Sequence, residues 1–194
     1  MADAIRFTFD DSQAQRAIDE LGKRATPAII RALNRTAGSV RTQLSRDIAA
    51  DISLKVGTVR DELKVRPARE DNLTAAVSVS GSKIPLAKFG ATGPMPSRGR
   101  GTVSARIGGA RKRYPGRFLA QMRSGHIGVF GRIAPSTRRS AGAWGKNLPI
   151  AELFGPSLPH VFEKHLPAGI ARGEEQLVKN LEHEIGFALS QAGQ

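Results

Sequence analysis

"HVFEKH", residues 160–165, places two histidines and a glutamate within six positions, the residue types of a metalloprotease helix. The spacing defeats that chemistry. Residues four apart share a helical face, whereas His160 and His165 are five apart, and a chain with no cysteine has no thiolate to complete the site. These histidines read as solvated side chains on a helix surface. "AWGKN" at 143–147 resembles the end of a phosphate-binding loop, but Ser140 stands where the upstream glycine is required and Asn147 where a Ser or Thr would hold magnesium. The acidic pairs Asp10-Asp11 and Glu174-Glu175 are better placed to complement helix dipoles than to share a proton. The sequence therefore assigns no catalytic residue, metal ligand or cofactor, and a non-enzymatic role is expected.

The chemistry that the chain does carry is charge. The 194 residues have a formal net charge of +13. Between Asp71 and Glu152 there is no acid, but there are 14 basic residues, while the rest of the chain sets 16 basic residues against all 17 acidic ones. A segment of one sign repels itself unless an anionic partner lies close, so a polyanion is implied, nucleic acid first among them. The residues expected to contact DNA or an acidic partner are Arg98, Arg100, Arg106, Arg111, Lys112, Arg113, Arg117, Arg123, Arg138 and Arg139. Only Tyr114, Phe118, Phe130 and Trp144 offer stacking rings there, which favours phosphate-backbone contact without sequence preference.

The elements that must position these groups follow from periodicity. Ile5, Phe7 and Phe9 alternate as in a half-buried strand, and Asp10 to Ser12 then cap a helix ending near Gly22. Thr26-Pro27 opens a second helix, whose apolar face is Ile30, Leu33, Ala37, Val40, Leu44 and Ile48. A short helical turn spans Val59 to Leu63. Alternation returns at Ala75–Val79, Val103–Ile107 and Ile127–Val129, and a C-terminal helix is expected from about Glu174 to Ser190, with Pro167 at a first turn. The residues from 81 to 145 hold 13 of the 21 glycines, and "GATGPMPSRGRG" and "GGARKRYPGR" read as long mobile loops. The fold class expected is α+β: one domain over 1–194, a mainly antiparallel sheet of about four strands, a long N-terminal and a C-terminal helix, and extended basic glycine-rich loops within 81–147. No cysteine framework, signal peptide or membrane-spanning run is present, which points to synthesis in a reducing cytoplasm and to no membrane partner.

One segment does not fit a basic, loop-rich region. "NLPIAELFGPSLPHVF", 147–162, carries Leu148, Ile150, Leu153, Phe154, Leu158 and Phe162, too many apolar side chains for a free loop, while three prolines and Gly155 forbid a continuous helix. It reads as an ordered strap that turns at Gly155-Pro156-Ser157, starts a short helix over Leu158 to Lys164, and buries its apolar side chains against the protein's own sheet or a neighbouring subunit, the protein's own core coming first for Leu153 and Phe154.

This strap, together with "AIIRALNRTAGSVRTQLSRDIA" and "VSGSKIPLAKFGA", resembles the minor tail protein Z family of lambda-type phages and prophages, over the whole length of the chain. The resemblance implies a structural virion protein of a long-tailed phage, assembled in the bacterial cytoplasm. It implies a tail-completion or neck component at the head-proximal end, forming a six-fold homo-oligomeric ring around the DNA channel between the tail terminator and the head connector or stopper. Charge alone points equally to a nucleic-acid-binding protein of ribosomal or nucleoid type, and more weakly to a phosphoryl-handling enzyme. The apolar strap favours the ring, since a simple nucleic-acid coat needs no such segment.

Overall fold

The computed structural model describes residues 4–8, 22, 25–81, 83–95, 101–133 and 150–192. Of the helix expected over 12–22 only Gly22 is among these, and Phe9 lies outside them. The fold is α+β, and its contacts gather into two compact units. The first comprises Met1–Ile48, Val56–Gly81 and Leu158–Gln194, and the second Ala49–Lys55 and Ser82–Ser157.

In the first unit, strand β1 (Ala4–Thr8) and strand β2 (Leu63–Arg66) flank β3 (Thr74–Val79), all antiparallel. The register sets Ile5 opposite Val77 and Phe7 opposite Ala75, with Leu63 opposite Val79 on the other side. All six are buried, so the period of two delivers one apolar face. Helix α1 (Ala25–Ile52) buries Ile29, Leu33, Ala37, Val40, Leu44 and Ile48. Ile29 takes the inward place expected of Ile30, which is half-buried. A short helix α2 (Val56–Glu62) leads into β2.

The C-terminal helix departs most from expectation. Instead of a short helix followed by a second from Glu174, one helix α3 runs from Leu158 to Ala192 straight through Pro167. Proline removes one N–H, so the Glu163 carbonyl loses its intrahelical donor, but the packing of α3 carries the helix across that gap. Two glycines of this region are close-approach sites. A Cβ at Gly169 would lie 2.8 Å from Ile5 Cδ1 and 3.1 Å from Leu44 Cδ2, and one at Gly173 would enter the Phe7 ring, 2.5 Å from Cζ. Small residues here let α3 reach β1 and α1.

Consecutive residues of α1 fasten the rest of this unit. Asn34 Nδ2 donates to the Ala68 carbonyl at 3.1 Å while its Oδ1 accepts the Ala68 N–H at 2.7 Å. Arg35 reaches Glu184 Oε1 at 3.3 Å, and the buried Thr36 hydroxyl accepts from Asn180 Nδ2 at 2.9 Å. Arg31 Nε donates to Glu184 Oε2 at 2.6 Å, so the buried carboxylate is held by two guanidiniums. The Asn34-Arg35-Thr36 triplet is thus a clamp on two other segments.

The close approach of α3 gives a matched prediction. Gly186 is exposed with nothing within 4 Å of a Cβ, so Gly186→Ala should raise stability by about 0.5–1 kcal/mol through helix propensity alone. Gly173→Ala gains the same propensity but must displace a buried ring, and should lower stability by about 1–2 kcal/mol. Urea midpoints read both, and adding Phe7→Leu should recover part of the second loss.

In the second unit, β4 (Thr102–Ile107) and β5 (Ala110–Pro115) form a hairpin, and β6 (Arg117–Gln121), β7 (Ile127–Arg132) and β8 (Ile150–Glu152) form an antiparallel sheet with β7 in the centre. In place of the expected single sheet of about four strands, the described residues form sheets of three, two and three strands. Alternation identified β3, β4 and β7, but period-two patterning carries no information about partners. The "GGARKRYPGR" segment is also not a loop, since Ala110–Pro115 is hydrogen-bonded strand. Part of "GATGPMPSRGRG", residues 96–100, lies outside the described residues.

Candidate functional site

Charge divides between the two units. The first holds 15 basic and 15 acidic residues and is neutral, while the second holds 15 basic residues and only Asp51 and Glu152 as acids, so it carries the whole +13. Glu152 is engaged with His126, whose Nε2 lies 2.6 Å from Oε1.

The β4–β5 hairpin organises the densest part of that charge. Gly108 and Gly109 form its two-residue turn with φ of 60° and 80°, the positive values that a type I′ turn demands at both positions. The turn is held by Ser53, which follows α1 and belongs to this same unit. Ser53 ends that helix in the left-handed conformation, φ 60°, with the Leu54 N–H donating to the Ala49 carbonyl at 3.0 Å as in a Schellman motif. Glycine is usual at such a position, but here the Ser53 hydroxyl accepts the Gly109 N–H at 2.9 Å.

The register places Arg106 directly opposite Arg111 and Ser104 opposite Arg113. Side chains paired across a ladder share a face, so Arg106, Arg111 and Arg113 stand together, all exposed, while Lys112 projects from the other face opposite Ala105. Arg111 is positioned by two hydroxyls, its NH1 donating to Thr92 Oγ1 at 2.7 Å and Ser104 Oγ at 2.9 Å. Thr92 is itself fixed by two backbone bonds of 2.8 Å to Ser104. Among the described residues no carboxylate pairs with Arg106, Arg111, Lys112 or Arg113. Like charges directly opposite one another destabilise a hairpin.

Other residues of the expected contact set lie elsewhere. Arg117 is on β6, half-buried, its side chain crossing β7 where a Cβ at Gly131 would sit 2.7 Å from Nε. Arg123 is exposed in the β6–β7 turn. Arg98, Arg100, Arg138 and Arg139 lie outside the described residues. The sequence reading missed the hairpin although its signal was present: Gly-Gly separates two runs by two residues. The second run, "ARKRYP", is almost wholly exposed and lacks apolar alternation, so nothing in it marked a strand.

The described part of the strap, 150–162, is divided between the two units. Leu158 and Phe162 belong to the first turns of α3 and are fully buried, whereas Ile150 is 41% and Phe154 43% exposed and Leu153 is half-buried. Burial of Phe154 in the protein's own core, one of the two alternatives, is excluded. Leu148 lies outside the described residues. Residues 153–155 pair with 84–86: Leu86 donates its N–H to the Leu153 carbonyl at 2.9 Å, and Gly155 to the Ile84 carbonyl at 2.9 Å. A Cβ at Gly155 would collide with the Phe89 ring, which explains the glycine. The expected metalloprotease-like histidines sit on α3, His160 exposed with Nδ1 4.0 Å from Glu163 Oε2, and His165 half-buried rather than solvated. Among the described residues no group of three His, Cys, Asp or Glu is placed to hold a metal, and no helix is long and apolar enough to cross a membrane.

The segments that carried the family resemblance therefore prove to be the stitching of the fold: the α1 triplet clamps the first unit, and the strap pairs with 84–86 in the second. No curated protein and no solved structure matches the chain. The family model for prophage minor tail protein Z matches residues 11–192, nearly the whole chain and all of these segments. The chain belongs to the prophage minor tail protein Z family and is a structural protein of phage tails.

Proposed function

We propose that this tail protein completes the head-proximal end of a long tail, as a closed ring of six copies between the tail terminator and the head connector or stopper. In this reading the α3 helix of the neutral unit and the apolar strap of the basic unit build the ring. The basic unit turns the Arg106, Arg111 and Arg113 face toward the genomic DNA of the channel, or toward acidic surfaces of adjoining rings. The observation that supports it is the partition of charge: the entire +13 resides in one unit, with three guanidiniums held on one hairpin face and no carboxylate paired with them among the described residues. An arrangement that costs hairpin stability through like-charge repulsion is relieved when an anion binds. A nucleoid-type protein would share the charge, but membership of a tail family speaks against it.

Location tests this reading. Tails assembled with an epitope-tagged chain and labelled with gold-conjugated antibody should carry the label at the end that joins heads, and tails lacking the protein should fail to join. Label at the distal tip would overturn the proposal.

A further inference from the structure

Among the exposed apolar residues, two pairs stand out by their unlike charged surroundings, one on each unit. On α3, Val178 is 56% and Leu189 45% exposed. They are eleven residues apart, close to three helical turns, so they share a face. Glu174 and Glu182, four residues either side of Val178, border it, both exposed and without a cationic partner among the described residues. The neighbouring Glu175 is already engaged: Lys179 hydrogen-bonds it and holds its carboxyl below the usual range. On the second unit the patch is Ile150 and Phe154, bordered by cations. Arg132 lies directly opposite Ile150 in the β7–β8 register, and Lys83 Nζ stands 5.9 Å from the centroid of the Phe154 ring.

We propose that neighbouring copies of this chain mate head to tail, the Val178–Leu189 face of α3 on one copy seating on the Ile150–Phe154 patch of the next. This rests on the ring reading above. An isologous contact needs one self-complementary patch, whereas a closed ring needs two different ones that complement each other. Either patch meeting its own copy would set like charges together: Lys83 and Arg132 against themselves, or Glu174 and Glu182. Only the crossed pairing joins apolar to apolar and acid to base. DNA does not fit the α3 face, which would repel phosphate.

Because the chain has no cysteine, Val178→Cys with Ile150→Cys supplies the only thiols. Purified tails carrying this variant, oxidised and run on a denaturing non-reducing gel, should give a ladder of covalent oligomers. Val178→Cys with Ile127→Cys should give none, since Ile127 lies on the opposite face of the same sheet. Glu174→Lys with Glu182→Lys should reduce incorporation into tails by about tenfold or more, equivalent to about 1.4 kcal/mol. Adding Lys83→Glu and Arg132→Glu to the same chain should restore it. Several copies per tail with only the monomer band, or no rescue by the fourfold variant, would overturn this contact alone. A single copy per tail would overturn the ring reading as well.

Discussion

Phe162→Ala should lower the stability of the protein by about 3–5 kcal/mol, the cost of emptying a fully buried aromatic site, while Phe154→Ala should change it by less than about 0.5 kcal/mol. The two residues lie eight positions apart in one apolar segment. Phe162, in the second turn of α3, has no exposed surface, so its removal loses the transfer energy of the ring and leaves a cavity. Phe154 already meets solvent in the folded chain and has little left to lose on truncation. Urea unfolding followed by far-UV circular dichroism, the helical signal coming largely from α1 and α3, gives both values. Equal losses would mean that the strap is a single core element. The functional ranking runs the other way: Phe154→Asp should fold normally and yet fail to enter tails, because its exposed ring is offered to another surface.

How much of this was legible beforehand depended on what each pattern encodes. The face of α1 was read almost to the residue, because Leu33, Ala37, Val40, Leu44 and Ile48 repeat at helical spacing with no competing signal. Strands β1, β3 and β4 showed their period of two. Partners could not be read, because alternation at Ala75–Val79 and at Val103–Ile107 looks the same whether two strands share a sheet or lie in different units. Pro167 misled in one direction and Gly-Gly in the other. Pro167 was read as sitting at a first turn, whereas it lies inside one continuous α3, whose packing through Gly169 and Gly173 carries the helix across it. Gly108-Gly109 was read as mobility when its positive φ angles build the two-residue turn of the β4–β5 hairpin. The charge excess was plain in the sequence, but the grouping of Arg106, Arg111 and Arg113 apart from Lys112 needed the hairpin register. Glu184 carried no signal at all, one more glutamate on a charged helix until Arg31 and Arg35 are seen beside it.

The claim that the Arg106–Arg111–Arg113 face meets a polyanion is tested most directly by the salt dependence of DNA binding. Duplexes of two unrelated sequences should bind the assembled protein alike, with the association constant falling steeply as salt rises, because each phosphate contact contributes about −0.9 to the log–log slope. Arg106→Glu with Arg113→Glu leaves Arg111 and its two hydroxyl partners in place, alters only exposed side chains, and should leave folding intact. Losing two contacts should make that slope shallower by about 1.8. Lys112→Glu, on the other face of the hairpin, should change it much less. Phage carrying the double variant should show complete-looking tails that do not deliver DNA. If the assembled parent protein binds DNA without salt dependence, or parent and double variant share one slope, the basic face does not meet phosphate.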